Sequence, residues 1–138
     1  MELSVILNTI RNKGGRITKV RRAILEAFFQ SGCLVSQESL IEYLKKKKLS
    51  PNPSTIFREL QFLLENKIIL KNTINKVHHY ELNSGHKHYH FICSECQGIT
   101  PLHLHNPLLN VMEGLEQQHQ FKIQQHSIDF KGVCASCL

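Results

Sequence analysis

Four of the chain's five cysteines stand in two CxxC pairs, Cys93-Ser94-Glu95-Cys96 and Cys134-Ala135-Ser136-Cys137. Each pair brings two thiolates to one ion from a tight knuckle, and two knuckles complete a tetrahedron with zinc–sulfur bonds of about 2.3 Å. Zinc suits four sulfurs because it has no redox chemistry and forms a closed structural site. The second pair lies at the end of the chain, so the ion would pin the last strand of its domain to the first. A thioredoxin-type redox motif follows a βαβ pattern, which neither pair does. Disulfides are the other use of paired cysteines, and they belong to oxidising compartments. The opening MELSVILNTIRNK mixes charges with helically spaced apolar residues, unlike a signal peptide or membrane anchor. A cytoplasmic protein without a membrane partner is expected, with structural zinc on Cys93, Cys96, Cys134 and Cys137.

The 138 residues suffice for one ordinary domain or two very small ones. Cores that small are marginal on burial alone, which makes a metal staple useful. Charge divides the chain unevenly. Residues 1–76 hold fourteen Lys or Arg against six acidic residues, whereas residues 77–138 hold three against five and carry all nine histidines. A basic front half binds phosphate polymers by displacing their counterions, so nucleic acid is the first partner to consider. A solvated basic surface is the plainer reading of the same charge.

Leu3, Ile6, Leu7 and Ile10 mark one face of a helix that stops at Gly14-Gly15. Thr18 caps a second helix with Val20, Ala23, Ile24, Ala27 and Phe28 inward, and Ser36 caps a third with Leu40, Ile41 and Leu44 inward. Lys45 to Lys48 suit that helix's C-terminal dipole whether or not they meet DNA. After the stiff Ser50-Pro51-Asn52-Pro53 turn, Ser54 or its neighbour opens a fourth helix striped by Ile56, Leu60, Leu63 and Leu64. Ile68 to Leu70 and Val77 to Leu82 form a hairpin turning near Asn75. Three helices and a hairpin make a winged helix-turn-helix, here with a helix in front. Past a hinge at Asn83-Ser84-Gly85, strands are expected at His88 to Cys93, Ile99 to Leu102 and Phe121 to Phe130, with a helix from about Pro107 to Gln118. The expected fold class is α+β: a winged-helix domain over 1–83 and a small α/β metal-binding domain over 84–138.

In a helix-turn-helix the second helix of the pair presents its N-terminal residues to the major groove. Here that helix begins PNPSTIFREL. Ser54, Thr55, Phe57 and Arg58 are the candidate readers, with Phe57 placed to meet a thymine methyl group and Arg58 a phosphate or guanine. A plainer reading puts Phe57 in the core and leaves Arg58 solvated. Arg16, Lys19 and Arg21 are candidates for backbone contacts, as is Arg22. In the back half, His86, His88 and His90 alternate, which places all three on one strand face, and Glu81 lies just across the hinge. Imidazoles with a carboxylate suit zinc, ferrous iron, manganese or nickel.

The two halves together resemble the ferric uptake regulator family of bacterial metalloregulators, over almost the whole chain. GGRITKVRRAILEAF, VSQESLIEYL and PSTIFREL resemble the family's opening segment, third helix and recognition helix. HKHYHFICSEC and FKGVCASC resemble its histidine–cysteine stretch and its closing CxxC. The resemblance implies a C-terminal dimerisation domain, a homodimer on an AT-rich inverted repeat of double-stranded DNA, and a sensor metal at the hinge. Glu81, His88 and His90 match sensor ligands, and His126 matches a ligand of a further site to which His86 is a second candidate. Arg58 matches the family's arginine, while Phe57 stands where Tyr is usual. The sequence also departs from the pattern. Leu34 occupies a position commonly filled by a sensor His, and Cys33 beside it either substitutes or is a buried apolar thiol. Pro101 replaces the usual carboxylate and cannot ligate, leaving His103 two residues on as the substitute. Lys87 and Tyr89 occupy positions often filled by ligands of the further site.

The function expected is a metal-dependent transcriptional repressor of metal homeostasis, with structural zinc and a second, regulatory divalent metal. A sensor set of Cys33, Glu81, His88, His90 and His103 leans towards zinc through its soft sulfur. Without Cys33, iron or manganese sensing, or peroxide sensing, stays open. An enzyme is not expected, because the histidine cluster lacks a nearby general base and the chain lacks a phosphate loop. A zinc-ribbon interaction module without sensing is the remaining alternative.

Overall fold

The computed structural model describes residues 2–83, 89–102, 107–124, 126 and 128–138. The chain divides into two compact units, Met1–His86 and Lys87–Leu138.

The first unit begins with α1 (Leu3–Asn12), which buries Ile6, Leu7 and Ile10. Gly14 leaves it at φ 78°, and Gly15 sits so close to the helix that a Cβ there would meet Ile10 Cγ2 at 2.6 Å and Phe62 Cζ at 3.2 Å. α2 (Lys19–Ser31) is capped by Thr18, whose side chain accepts from the Arg21 amide. α3 (Gln37–Lys46) is capped in the same way by Ser36. Both caps satisfy amides that have no partner inside the helix. α4 (Pro53–Glu65) starts at Pro53, the neighbour of Ser54, where a missing N–H costs nothing, and Asn52 is its cap. Ile24, Leu25, Phe28, Leu40, Leu44, Ile56, Leu60 and Leu63 join the α1 residues in one core.

The hairpin is β2 (Ile69–Ile74) and β3 (Val77–Leu82) in antiparallel register, Ile74 opposite Val77. Its two turn residues, Asn75 and Lys76, have φ of 49° and 66°, the left-handed pair that matches strand twist in a two-residue loop. A strand not expected from the sequence, β1 (Val35–Ser36), pairs with Tyr80 and His79, so the wing is a three-stranded sheet in the order β1-β3-β2. Two residues carry too little pattern to read as a strand, and only the pairing reveals it.

The second unit holds β4 (Tyr89–Cys93), β5 (Ile99–Leu102), α5 (Pro107–His119) and β6 (Ile128–Gly132). Its sheet runs β5-β4-β6, with β4 antiparallel to β5 and parallel to β6. The expected strand from Phe121 needs correction, because regular pairing starts only at Ile128. Gln120 turns to φ 49°, and the Glu116 carboxylate accepts the Ile123 amide at 2.6 Å. The chain leaving α5 is thereby bound back to the helix and does not extend into the sheet.

Candidate metal centres and nucleic-acid interface

The parallel pairing of β4 and β6 sets Cys93 opposite Gly132, so the two CxxC pairs leave neighbouring strands at the same end of the sheet. Ser94 donates its amide to the Gly132 carbonyl at 2.7 Å, and Cys93 receives the Cys134 amide on its sulfur at 3.4 Å. Gln97, at φ 61°, bends the first knuckle back. The four sulfurs lie within 4.8 Å of one another, with Cys96 and Cys134 3.8 Å apart. Thiolates on a tetrahedral zinc at about 2.3 Å per bond stand about 3.8 Å from each other. The Cys96–Cys134 separation matches that value and the remaining sulfurs lie within 4.8 Å, so the cluster has the size the ion requires.

Its electrostatics ask for a cation. The backbone amide of Cys96 foremost, then those of Cys134 and Glu95, pull the Cys93 thiol down to about 6 despite some desolvation. The Cys137 thiol is pushed up to about 12, by hydrogen bonding with Cys134 and Cys96 foremost. Four sulfurs so close cannot all ionise unless positive charge sits among them, which is what zinc supplies. This is a structural zinc site.

The expected sensor residues are only partly visible. His86, His88 and His103 lie outside the described residues. Glu81, on β3, is 9% exposed, and His90, on β4, is 1% exposed. Asn72 donates to the Glu81 carboxylate at 3.3 Å. His90 Nδ1 lies 3.2 Å from Asp129 Oδ1 on β6, a partner that no local pattern in the sequence singles out. Cys33 is partly buried in the bend before β1, next to Leu34. Pro101 stands directly opposite His90 on β5. His126 packs against the ring of Tyr89, centroids 6.4 Å apart.

The fourth helix separates its residues cleanly. Ile56 and Leu60 are buried, whereas Phe57 is 61% exposed and Ser54 and Arg58 are exposed beside it. Asn52 draws the Ser54 and Thr55 hydroxyls to its side-chain oxygen at 2.8 Å each. Arg16 and Lys19 are exposed. Arg21, a candidate for a backbone contact, is engaged within its own unit. Its guanidinium is 11% exposed, forms an ion pair with Glu59 at 2.7 Å, donates to the Arg16 carbonyl at 2.7 Å and lies 3.8 Å over the Phe62 ring. Those contacts hold α2 to α4 and leave it turned inward.

A family model described as the ferric uptake regulator family matches residues 12–131. The chain belongs to the ferric uptake regulator family. Among its relatives, the ferric uptake regulation protein of Bacillus subtilis is 31% identical over 107 residues, covering 75% of this chain and 71% of its own. The peroxide-responsive repressor PerR of Staphylococcus epidermidis is 28% identical, covering 99% and 90%. The solved structure of the Helicobacter pylori ferric uptake regulator, reported with three functional metal-binding sites, superposes with TM-score 0.79 at 23% identity, covering 98% of this chain and 90% of its own. A zinc uptake regulator complexed with zinc and DNA superposes at 0.63 and 22% identity, covering 98% and 91%. Membership of this family makes the chain a metal-responsive transcription regulator. These relatives carry names of regulators, not enzymes. Among the described residues, no helix is long and apolar enough to cross a membrane.

Proposed function

We propose that this regulator is a cytoplasmic repressor whose DNA affinity is set by a second metal, held by Glu81, His88 and His90 with Cys33 and His103. One observation carries the reading. Among the described residues, the buried polar or charged side chains are Glu81 and His90, both members of the expected sensor set. Burying a carboxylate and an imidazole is costly, and a bound cation is a direct way to offset it. The metal would act as corepressor through a coupling free energy of about 1–3 kcal/mol per linked site.

The donor set carries one carboxylate and one soft sulfur, which favours zinc. The relatives named above as iron or peroxide regulators support the alternative, iron or manganese bound without Cys33. Arg16 and Lys19 would meet the DNA backbone, with Ser54, Thr55, Phe57 and Arg58 in the major groove of an AT-rich inverted repeat. A homodimer is supported by apolar surface on the second unit. Phe91 and Phe130 meet at a tilt with centroids 5.6 Å apart while remaining 49% and 44% exposed, and Leu109, Val111 and Leu115 are exposed on α5.

The test is DNA binding after mild chelation and add-back of zinc, ferrous iron or manganese in turn. Binding that returns with one of them identifies the signal. Affinity unchanged by chelation that strips every metal except the structural zinc would overturn the sensor reading. Operator affinity that Glu81→Ala and His90→Ala leave unchanged at saturating metal would do the same.

A further inference from the structure

Pro101, His90 and Asp129 form one row across the second sheet. β4 pairs with β5 through His90 and Pro101, and with β6 through His90 and Asp129. Residues paired across a sheet share a face. The proline ring offers no hydrogen-bonding group on one flank of His90, and the Asp129 carboxylate stands on the other. Asp129 Oδ1 is 3.2 Å from His90 Nδ1, with the imidazole 1% exposed and the carboxylate 32%.

An ionised carboxylate only accepts hydrogen bonds, so in this pair Nδ1 is the nitrogen that carries the proton. The neutral ring then keeps its lone pair on Nε2, the nitrogen able to bind a metal. A carboxylate on the far nitrogen also fixes the ring's orientation and makes it a stronger donor.

We infer that Asp129 is the positioning residue for His90, holding the ring in the tautomer that presents Nε2 to the sensor metal. The inference rests on the reading of His90 as a ligand. It assigns a role to the parallel strand pair that the zinc knuckles close. The ion at the four cysteines keeps β6 beside β4, and that register delivers Asp129 to His90. Structural zinc and sensor site are thereby linked through one strand pair.

The experiment uses the full chain with its structural zinc in place and titrates cobalt(II) into the removable site, followed by its absorption. Asp129→Ala should weaken cobalt binding about 10–100-fold, while zinc content and melting temperature stay those of the parent. Asp129→Asn keeps the shape and an acceptor oxygen but not the charge, and should weaken it less. Long-range proton–nitrogen NMR of the cobalt-free protein should show His90 protonated at Nδ1, and at Nε2 once Asp129 is alanine. Parental cobalt affinity and an unchanged tautomer in Asp129→Ala would overturn the inference. His90→Ala separates it from the reading beneath: parental affinity there removes the sensor assignment, whereas weakened binding in His90→Ala but not in Asp129→Ala removes only the role of Asp129.

Discussion

Arg21 and Glu59 meet side by side, Nε to Oε2 at 2.7 Å and Nη2 to Oε1 at 3.3 Å, joining the start of α2 to α4. This two-point fork is the strongest geometry open to an arginine and a carboxylate, and both side chains are largely shielded from water. Glu59→Ala should lower stability by about 2 kcal/mol, read by urea unfolding, because it strands the guanidinium against Phe62. Arg21→Lys should recover little of the parent's stability, since an ammonium cannot form the fork or stack on the ring. A Glu59→Ala variant as stable as the parent would contradict this account of how α4 is held against α2.

The two glycines after α1 should respond differently to alanine. Gly15→Ala forces a Cβ to within 3.0 Å of the Ile10 carbonyl, which is backbone and cannot swing away. A loss of about 1–3 kcal/mol is expected. Gly14→Ala meets no neighbour, and its cost is the left-handed backbone alone, about 1 kcal/mol. Thermal melting of both variants orders them.

Cys96→Ser should abolish tight zinc binding and unfold the second unit, since binding a structural ion is part of the folding free energy. Plasma mass spectrometry should find the structural zinc missing, and the melting transition should fall or split. A variant that melts like the parent with its zinc retained refutes the four-cysteine site.

On the reading helix, Phe57→Ala and Arg58→Ala should leave stability within about 0.5 kcal/mol, because both side chains are exposed. Arg58→Ala should weaken binding to duplex DNA by about 1–3 kcal/mol. If its contact is a phosphate, the loss will be uniform across sequences and the salt dependence will fall by about one unit. Fluorescence anisotropy at several salt concentrations distinguishes the two. Unchanged affinity in both variants would place the DNA interface elsewhere.

The sequence by itself determined whatever follows from local spacing. Ile6, Leu7 and Ile10 repeat at helical intervals and are buried as that interval demands. Thr18 and Ser36 cap the helices that begin beside them, and the two CxxC pairs announce a four-sulfur site whatever lies between them. The tertiary structure decided what depends on partners distant in the chain. No local pattern separates Arg21 from the exposed basic residues around it, and only Glu59 and Phe62 turn it inward. Phe57 fits either core or surface by spacing, and packing of Ile56 and Leu60 put it outside. Val35–Ser36 becomes a strand only because β3 pairs with it, and the chain after α5 is tied back to the helix by the Glu116 carboxylate. Asp129 is an unremarked acid until parallel pairing sets it beside His90, a contact made by sheet register rather than by sequence neighbourhood.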